Sequence, residues 1–264
     1  MESRHRRRLV VFLLLFVLAL SAASCGRRID VGETQTREEA VAQQDASRVE
    51  VDLRMGAGRL DVSVGGQELM EATFTYDVHE WEPIVTYNVN DGVGQLEVSQ
   101  PEIEEIGIPD DDIDYQWELR FSEEVPLEME VNLGAGQSDL DLANLDLRSL
   151  RMNTGAGDVE VSLGGGLDTF RMETGAGEIN LNLANDWERD LQAELRGGVG
   201  SVTVLLPCKV GTRVTVRQGI GSIKASGLSQ SGDTYTTDAF GESEVTLDIT
   251  IEGGIGEVNL RVGG

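Results

Sequence analysis

The chain has 264 residues, with 47 acidic and 21 basic side chains and a formal net charge of −26. So acidic a surface repels phosphate backbones, which excludes nucleic acid as a partner and favours cations or basic proteins. Lysine occurs only at Lys209 and Lys224, a scarcity that adaptation to high salt would also produce.

The N-terminus sets the compartment. Arg4, Arg6, Arg7 and Arg8 precede an unbroken apolar run of 12 residues, Leu9 to Leu20. That run is too short to span a bilayer and suits the core of a signal peptide. Ser21-Ala22-Ala23-Ser24 then places small residues before Cys25. This resembles the lipobox of bacterial lipoproteins, which implies a signal peptide over 1–24 and a lipid on Cys25. Gly26, not Asp, follows, which implies the outer membrane of a Gram-negative cell, or otherwise the outer face of the cell membrane. The mature chain would carry a net charge of −29 and one remaining thiol, Cys208, so it could form no internal disulfide. The expected location is extracytoplasmic, with the membrane as one partner.

Residues 25–46 are polar and lack strand alternation, and they read as a flexible tether. From Val49 the pattern changes. Val49, Val51, Leu53 and Met55 alternate with Glu50, Asp52 and Arg54, as in a strand buried on one face. Gly56-Ala57-Gly58 follows, and then Leu60, Val62 and Val64 alternate again.

This unit recurs. Gly-X-Gly, with X always Ala, Val or Ile, begins at Gly56, Gly92, Gly134, Gly155, Gly175, Gly198, Gly219 and Gly254. The steps from Gly134 to Gly219 are 21, 20, 23 and 21 residues. A period near 20 signals stacked units, none of which can bury its apolar face alone. Each unit reads as strand, tight glycine turn, strand and looser turn, with the middle Ala, Val or Ile plugging the interior. Gly56, Gly58, Gly134, Gly136, Gly155, Gly157, Gly175 and Gly177 are the expected structural turns. Ser138 reads as an extra residue absorbed by a β-bulge. The last strand, Glu257–Val262, would leave an unpaired edge at the end of the stack.

Residues 66–127 break the rhythm and hold seven of the eleven aromatics that follow the signal peptide. They read as longer strands capping the first unit. The alternative is a partner surface on Phe74, Tyr76, Trp81, Tyr87 and Trp117.

Val51-Asp52-Leu53-Arg54-Met55-Gly56-Ala57-Gly58, Leu133-Gly134-Ala135-Gly136-Gln137-Ser138-Asp139-Leu140-Asp141-Leu142 and Thr154-Gly155-Ala156-Gly157-Asp158-Val159 resemble the bacterial toast-rack family, a domain of unknown function. The likeness runs over residues 45–264. The second half is also similar to the C-terminal domain of cell-wall-stress response membrane proteins and to adhesin repeats. The family implies no catalytic residues. A lipid in place of the stress proteins' membrane helices argues against direct kinase control.

The search for chemistry returns little. His79 is the only histidine after the signal segment, and Cys208 follows Pro207 in an apolar setting, so no nucleophile and base pair is evident. The Gly-X-Gly turns lack the third glycine and the helix of a dinucleotide site. Asp110, Asp112 and Asp114 begin like a calcium loop, but Tyr115 and Phe121 replace its glycine and glutamate. They are kept as a candidate weak cation site. Outward pairs such as Asp158 with Glu160 and Asp139 with Asp141 would suit a polysaccharide-acting enzyme.

The reading is an all-β fold, a stacked-repeat solenoid or sandwich-like stack of two-strand units. An N-terminal toast-rack-like domain spans 47–130 and a repeat domain spans 131–264. The expected function is a non-catalytic envelope interaction, scaffold or adhesin-like module, or an envelope-stress accessory. It would bind an envelope protein or glycan, or itself, with no cofactor and no metal centre. The alternative is the carboxylate-based enzyme.

Overall fold

The computed structural model describes residues 31–101 and 113–263. The signal segment, Cys25, Asp110 and Asp112 lie outside the described residues. Among those residues there is no α-helix, and His79–Trp81 form a single 3-10 turn. Seven long strands carry the repeats: β2 (Arg48–Val64), β7 (Leu127–Asp141), β8 (Leu147–Ser162), β9 (Thr169–Asn182), β10 (Leu191–Leu206), β11 (Gly211–Ser226) and β14 (Thr246–Val262). The shorter strands are β1 (Gln35–Val41), β3 (Met70–Tyr76), β4 (Ile84–Asn90), β5 (Val93–Ser99), β6 (Tyr115–Phe121), β12 (Ser229–Ser231) and β13 (Thr234–Thr236).

Seven of the eight Gly-X-Gly sequences lie within a long strand and bend it, so the two expected strands per unit are two arms of one. In β2 the buried side chains are Val49, Val51, Leu53 and Met55, then Leu60 and Val62. Met55 and Leu60 are an odd number of residues apart, so a straight strand would turn Leu60 to solvent. The corner at Gly56-Ala57-Gly58 returns it to the core side, with Gly58 at φ 145°. The corner residues Ala57, Ala135, Ala156, Ala176, Val199, Ile255 and Ile220 are all exposed. They do not plug the interior. The bend turns the mid-corner side chain outward and leaves the core to the residues on either side.

The long strands stack in parallel in the order β2-β7-β8-β9-β10-β14-β11, with each corner in register with the next. This stacking explains the glycines. A Cβ on Gly157 would overlap the carbonyl oxygen of Gly136, and one on Gly155 that of Gly134. The same overlap recurs at each step from β7 to β11, so any larger residue would force adjoining backbones apart. From β7 to β11 short connections lead from each second arm to the start of the next strand in the chain. Their Leu142, Leu145, Leu163, Leu167 and Leu183 are buried and close the core.

Several sequence expectations change. Gly92 is not a corner. Asp91 and Gly92, with φ of 51° and 77°, make the two-residue turn between the antiparallel strands β4 and β5. Ser138 is not an inserted residue either. It pairs in register with Leu60 and Val159 and is buried at the position that holds an apolar side chain in those strands. Its hydroxyl has no partner among the described residues. Replacing Ser138 with Val is expected to stabilise the protein by about 1 to 2 kcal/mol, because an unpaired hydroxyl leaves the core and an apolar side chain enters it. Urea titration of both forms checks this; a lower midpoint for the variant would contradict it.

Residues 35–41, expected within a tether, form β1 and pair with β3. The expected domain boundary after residue 130 falls inside β7, and one continuous hydrophobic core spans both sides of it. The cap strands are seven residues each. Beyond β2 the first arm continues into β5 and β4, and the second arm into β6, β3 and β1. The last strand is not the edge of the stack. β14 is inserted between β10 and β11, which leaves β11 outermost among the long strands.

Candidate functional site

Phe74, Tyr76 and Trp117 do not form a partner surface. All three are buried, with Phe74 and Trp117 meeting edge-on at 5.7 Å between ring centroids. The cap covers the end of β2 and needs large apolar side chains to do so, so these rings belong to the core. Trp81 and Tyr87 are half-buried and pack against it. The Tyr87 hydroxyl donates to the carbonyl oxygen of Gln43 at 2.7 Å. Asp114 is exposed, and its backbone N–H donates to Asp77 Oδ2 at 2.8 Å. No group of three or more metal-ligating side chains occurs among the described residues.

An open trough of about 1560 Å³ follows the line of corners across β2, β7, β8, β9 and β10. Adjacent strands lie about 4.8 Å apart, so five of them span roughly 19 Å. Corner glycines leave its floor as bare backbone. One row of side chains stands two positions before the first corner glycine of each strand: Arg54, Asn132, Asn153, Glu173 and Arg196, all in register. Asn153 Nδ2 donates to Asn132 Oδ1 at 2.8 Å, and Arg196 lies 3.4 Å from Glu173. The Asp52 carboxylate raises the Arg54 guanidinium above its ordinary value by hydrogen bonding. Thr154 and Thr174 also line the trough, with hydroxyls that have no partner among the described residues.

The cap closes one end. Gln100 Oε1 accepts the backbone N–H of Gly56 at 2.7 Å and of Ala57 at 3.3 Å, which terminates the row of corners. Trp81 and Ile84 line this end. Tyr115 fixes Trp81 by donating its hydroxyl to the Trp81 carbonyl oxygen at 2.8 Å, and burial pushes the Tyr115 phenol up. The indole Nε1 of Trp81 has no acceptor among the described residues. Trp81 was legible in the sequence as a candidate. The polar row was not singled out, although its constant offset from the corner glycines was a readable signal.

The carboxylate pairs sit elsewhere. Asp158, Glu160, Asp139 and Asp141 are exposed on the outer face of the second arms. A depression of about 440 Å³ there is lined by Asp139, Asp141, Glu160 and Asn180 among others, with no aromatic side chain. Glu257 on this face is held at about 2 by hydrogen bonds from Lys224 and Asn259. Lys224 Nζ approaches it at 2.6 Å and so ties β11 to β14.

The sequence matches the family model described as the N-terminal domain of toast_rack, DUF2154, over residues 30–172 and 164–205. The chain belongs to the toast-rack family. This toast-rack protein is similar to the solved structure of a candidate cell adhesion protein from Clostridium sporogenes ATCC 15579. The two share 26% identity and a TM-score of 0.70, over 88% of this chain and 100% of the other. A candidate adhesin from Bacteroides fragilis NCTC 9343 shares 10% identity and a TM-score of 0.39, over 89% and 100% of the two chains. No curated protein matches this toast-rack chain.

Proposed function

We propose that this toast-rack protein is a non-catalytic, lipid-anchored module of the cell envelope, adhesin-like in action, whose trough binds an extended polymer chain. The trough carries this reading. It is long, open and floored by backbone, and its polar row repeats at the strand spacing, which suits a glycan or peptide laid along it better than a small substrate enclosed on all sides. The likeness to the Clostridium cell adhesion candidate supports the same class. The carboxylates Asp139, Asp141 and Glu160 line a depression that holds no aromatic side chain to stack against a sugar ring.

In-cell photo-cross-linking of the full chain tests it, with the cross-linker at Asn153 in the trough or at Glu160 on the opposite arm. An adduct is expected from Asn153 and not from Glu160, lost with Cys25→Ala and reduced at least fivefold by Trp81→Ala. Equal adducts from both positions, or none from Asn153, would remove the trough as the binding surface.

A further inference from the structure

β11 is the outermost long strand, yet only part of its outer edge is paired. β13 covers Arg213–Thr215, and the Val216 N–H donates to the Asp233 carbonyl oxygen at 2.9 Å. From Arg217 to Ser226 the outer edge has no strand partner among the described residues. A row of unpaired backbone groups is a template for another strand.

Three further observations fall on the same place. The corner ridge is alanine on β2, β7, β8 and β9, but the last three corners hold Val199, Ile255 and Ile220, which are 55%, 53% and 68% exposed. They are in register on adjoining strands, so they form one apolar patch. The inward row is also open here. Ile223 is half-buried and Ala225 exposed, where their register partners Val258 and Leu260 on β14 are buried. Finally, residues 195–232 contain five bases and no acid, in a chain of net charge −26. On β11 Arg213, Arg217 and Lys224 pair with Asp248, Glu252 and Glu257 of the adjoining β14, so the acids nearest this edge are compensated and two copies meet there with less repulsion than elsewhere on the surface.

The position in the stack names the occupant. β1 lies nine strand steps from β11, roughly 43 Å at the usual spacing. Nine residues separate Cys25 from Gln35, at most about 35 Å of extended chain. On the anchored reading above, the attached end is the β1 end, and β11 faces away from it.

We propose that the free arm of β11 is a homotypic contact, pairing antiparallel with the same arm of a second copy. This rests on the anchored, adhesin-like reading above. A two-fold contact uses the same patch on both molecules and closes at two, so it joins copies held on facing surfaces. About ten residues of edge and three apolar side chains make a contact below the standard interface size. Each pair is therefore weak, and adhesion depends on many pairs per surface.

The test uses vesicles of phosphatidylethanolamine and phosphatidylglycerol bearing the full-length lipidated chain, in two differently dyed populations. Two-colour cross-correlation reads their clustering. The unaltered protein is expected to cluster vesicles in proportion to surface density. Ile220→Asp combined with Ala225→Asp is expected to reduce clustering at least tenfold. Ala135→Asp, on the same ridge but five strands away, is expected to leave it unchanged, and all three proteins should melt within a few degrees of one another. No clustering by the unaltered protein, or equal clustering by the double variant, overturns the homotypic contact. Vesicles that bind isolated cell envelopes but not each other overturn it while leaving the anchored-module reading intact; binding to neither overturns both.

Discussion

Gly157→Ala is expected to lose about 3 to 5 kcal/mol of stability, from backbone strain and overpacking together. Gly157 sits at φ 146°, where an L side chain is strained, and its added Cβ would overlap the Gly136 carbonyl oxygen. That oxygen belongs to the backbone of β7, which is hydrogen-bonded on both sides, so it has nowhere to go without breaking the ladder. The site lies in the middle of the stack, and the lesion separates β7 from β8 at the corner. For a domain of this size such a loss lowers the melting temperature by roughly 10 °C. Gly65→Ala isolates the clash from the dihedral. Gly65 has φ 112°, where an L side chain is also strained, but nothing lies within 4 Å of the added methyl, so it should cost only about 1 to 3 kcal/mol. Thermal or urea unfolding of both variants decides the matter. Equal losses would mean that the glycine corners are a matter of dihedral freedom alone and not of strand approach.

Trp117→Ala is expected to cost about 3 to 5 kcal/mol, the range for removing a large aromatic side chain from a packed core. Trp117 is fully buried on β6, edge-on to Phe74 and 6.0 Å from the Tyr115 ring. Among the described residues no strand lies beyond the cap to move in and fill the void. The cap would loosen, and with it the placement of Tyr115 against Trp81. Trp81→Ala should behave in the opposite way. Trp81 is only half-buried and lines the trough, so its loss should weaken binding while leaving the unfolding midpoint nearly in place. Denaturant midpoints and cross-linking yields for the two variants, measured well below either melting temperature, separate the roles. A Trp117→Ala protein that is fully stable but does not bind would return Trp117 to the partner surface.

Local pattern was legible because it is a property of the chain alone. Alternation of Val49, Val51, Leu53 and Met55 with charged residues announced buried strands, and the spacing of Gly134, Gly155, Gly175, Gly198 and Gly219 announced stacking. Both follow from a side-chain period of two and from the need of each unit for a neighbour. What the glycines do was not legible. A sequence shows that Gly-Ala-Gly recurs, and a turn explains that as well as a bend within a continuous strand does. Only stacking in register places one glycine's carbonyl oxygen where the next would carry its Cβ, and only the bend decides that Ala156 points to solvent.

Ser138 shows the same limit: counted along the chain it is one residue too many, and against Leu60 and Val159 it is a core position with an unusual occupant. The aromatics near the N-terminus announced either a cap or a binding face, and composition could not choose between them. The tertiary structure chose by covering Phe74 and Trp117 with strands and leaving Trp81 at the mouth of the trough. The free edge depended on tertiary structure most of all. Chain order gives it to β14, but pairing free energy inserts β14 between β10 and β11, and strand order in a sheet is set by which edges meet in space and not by which was made last.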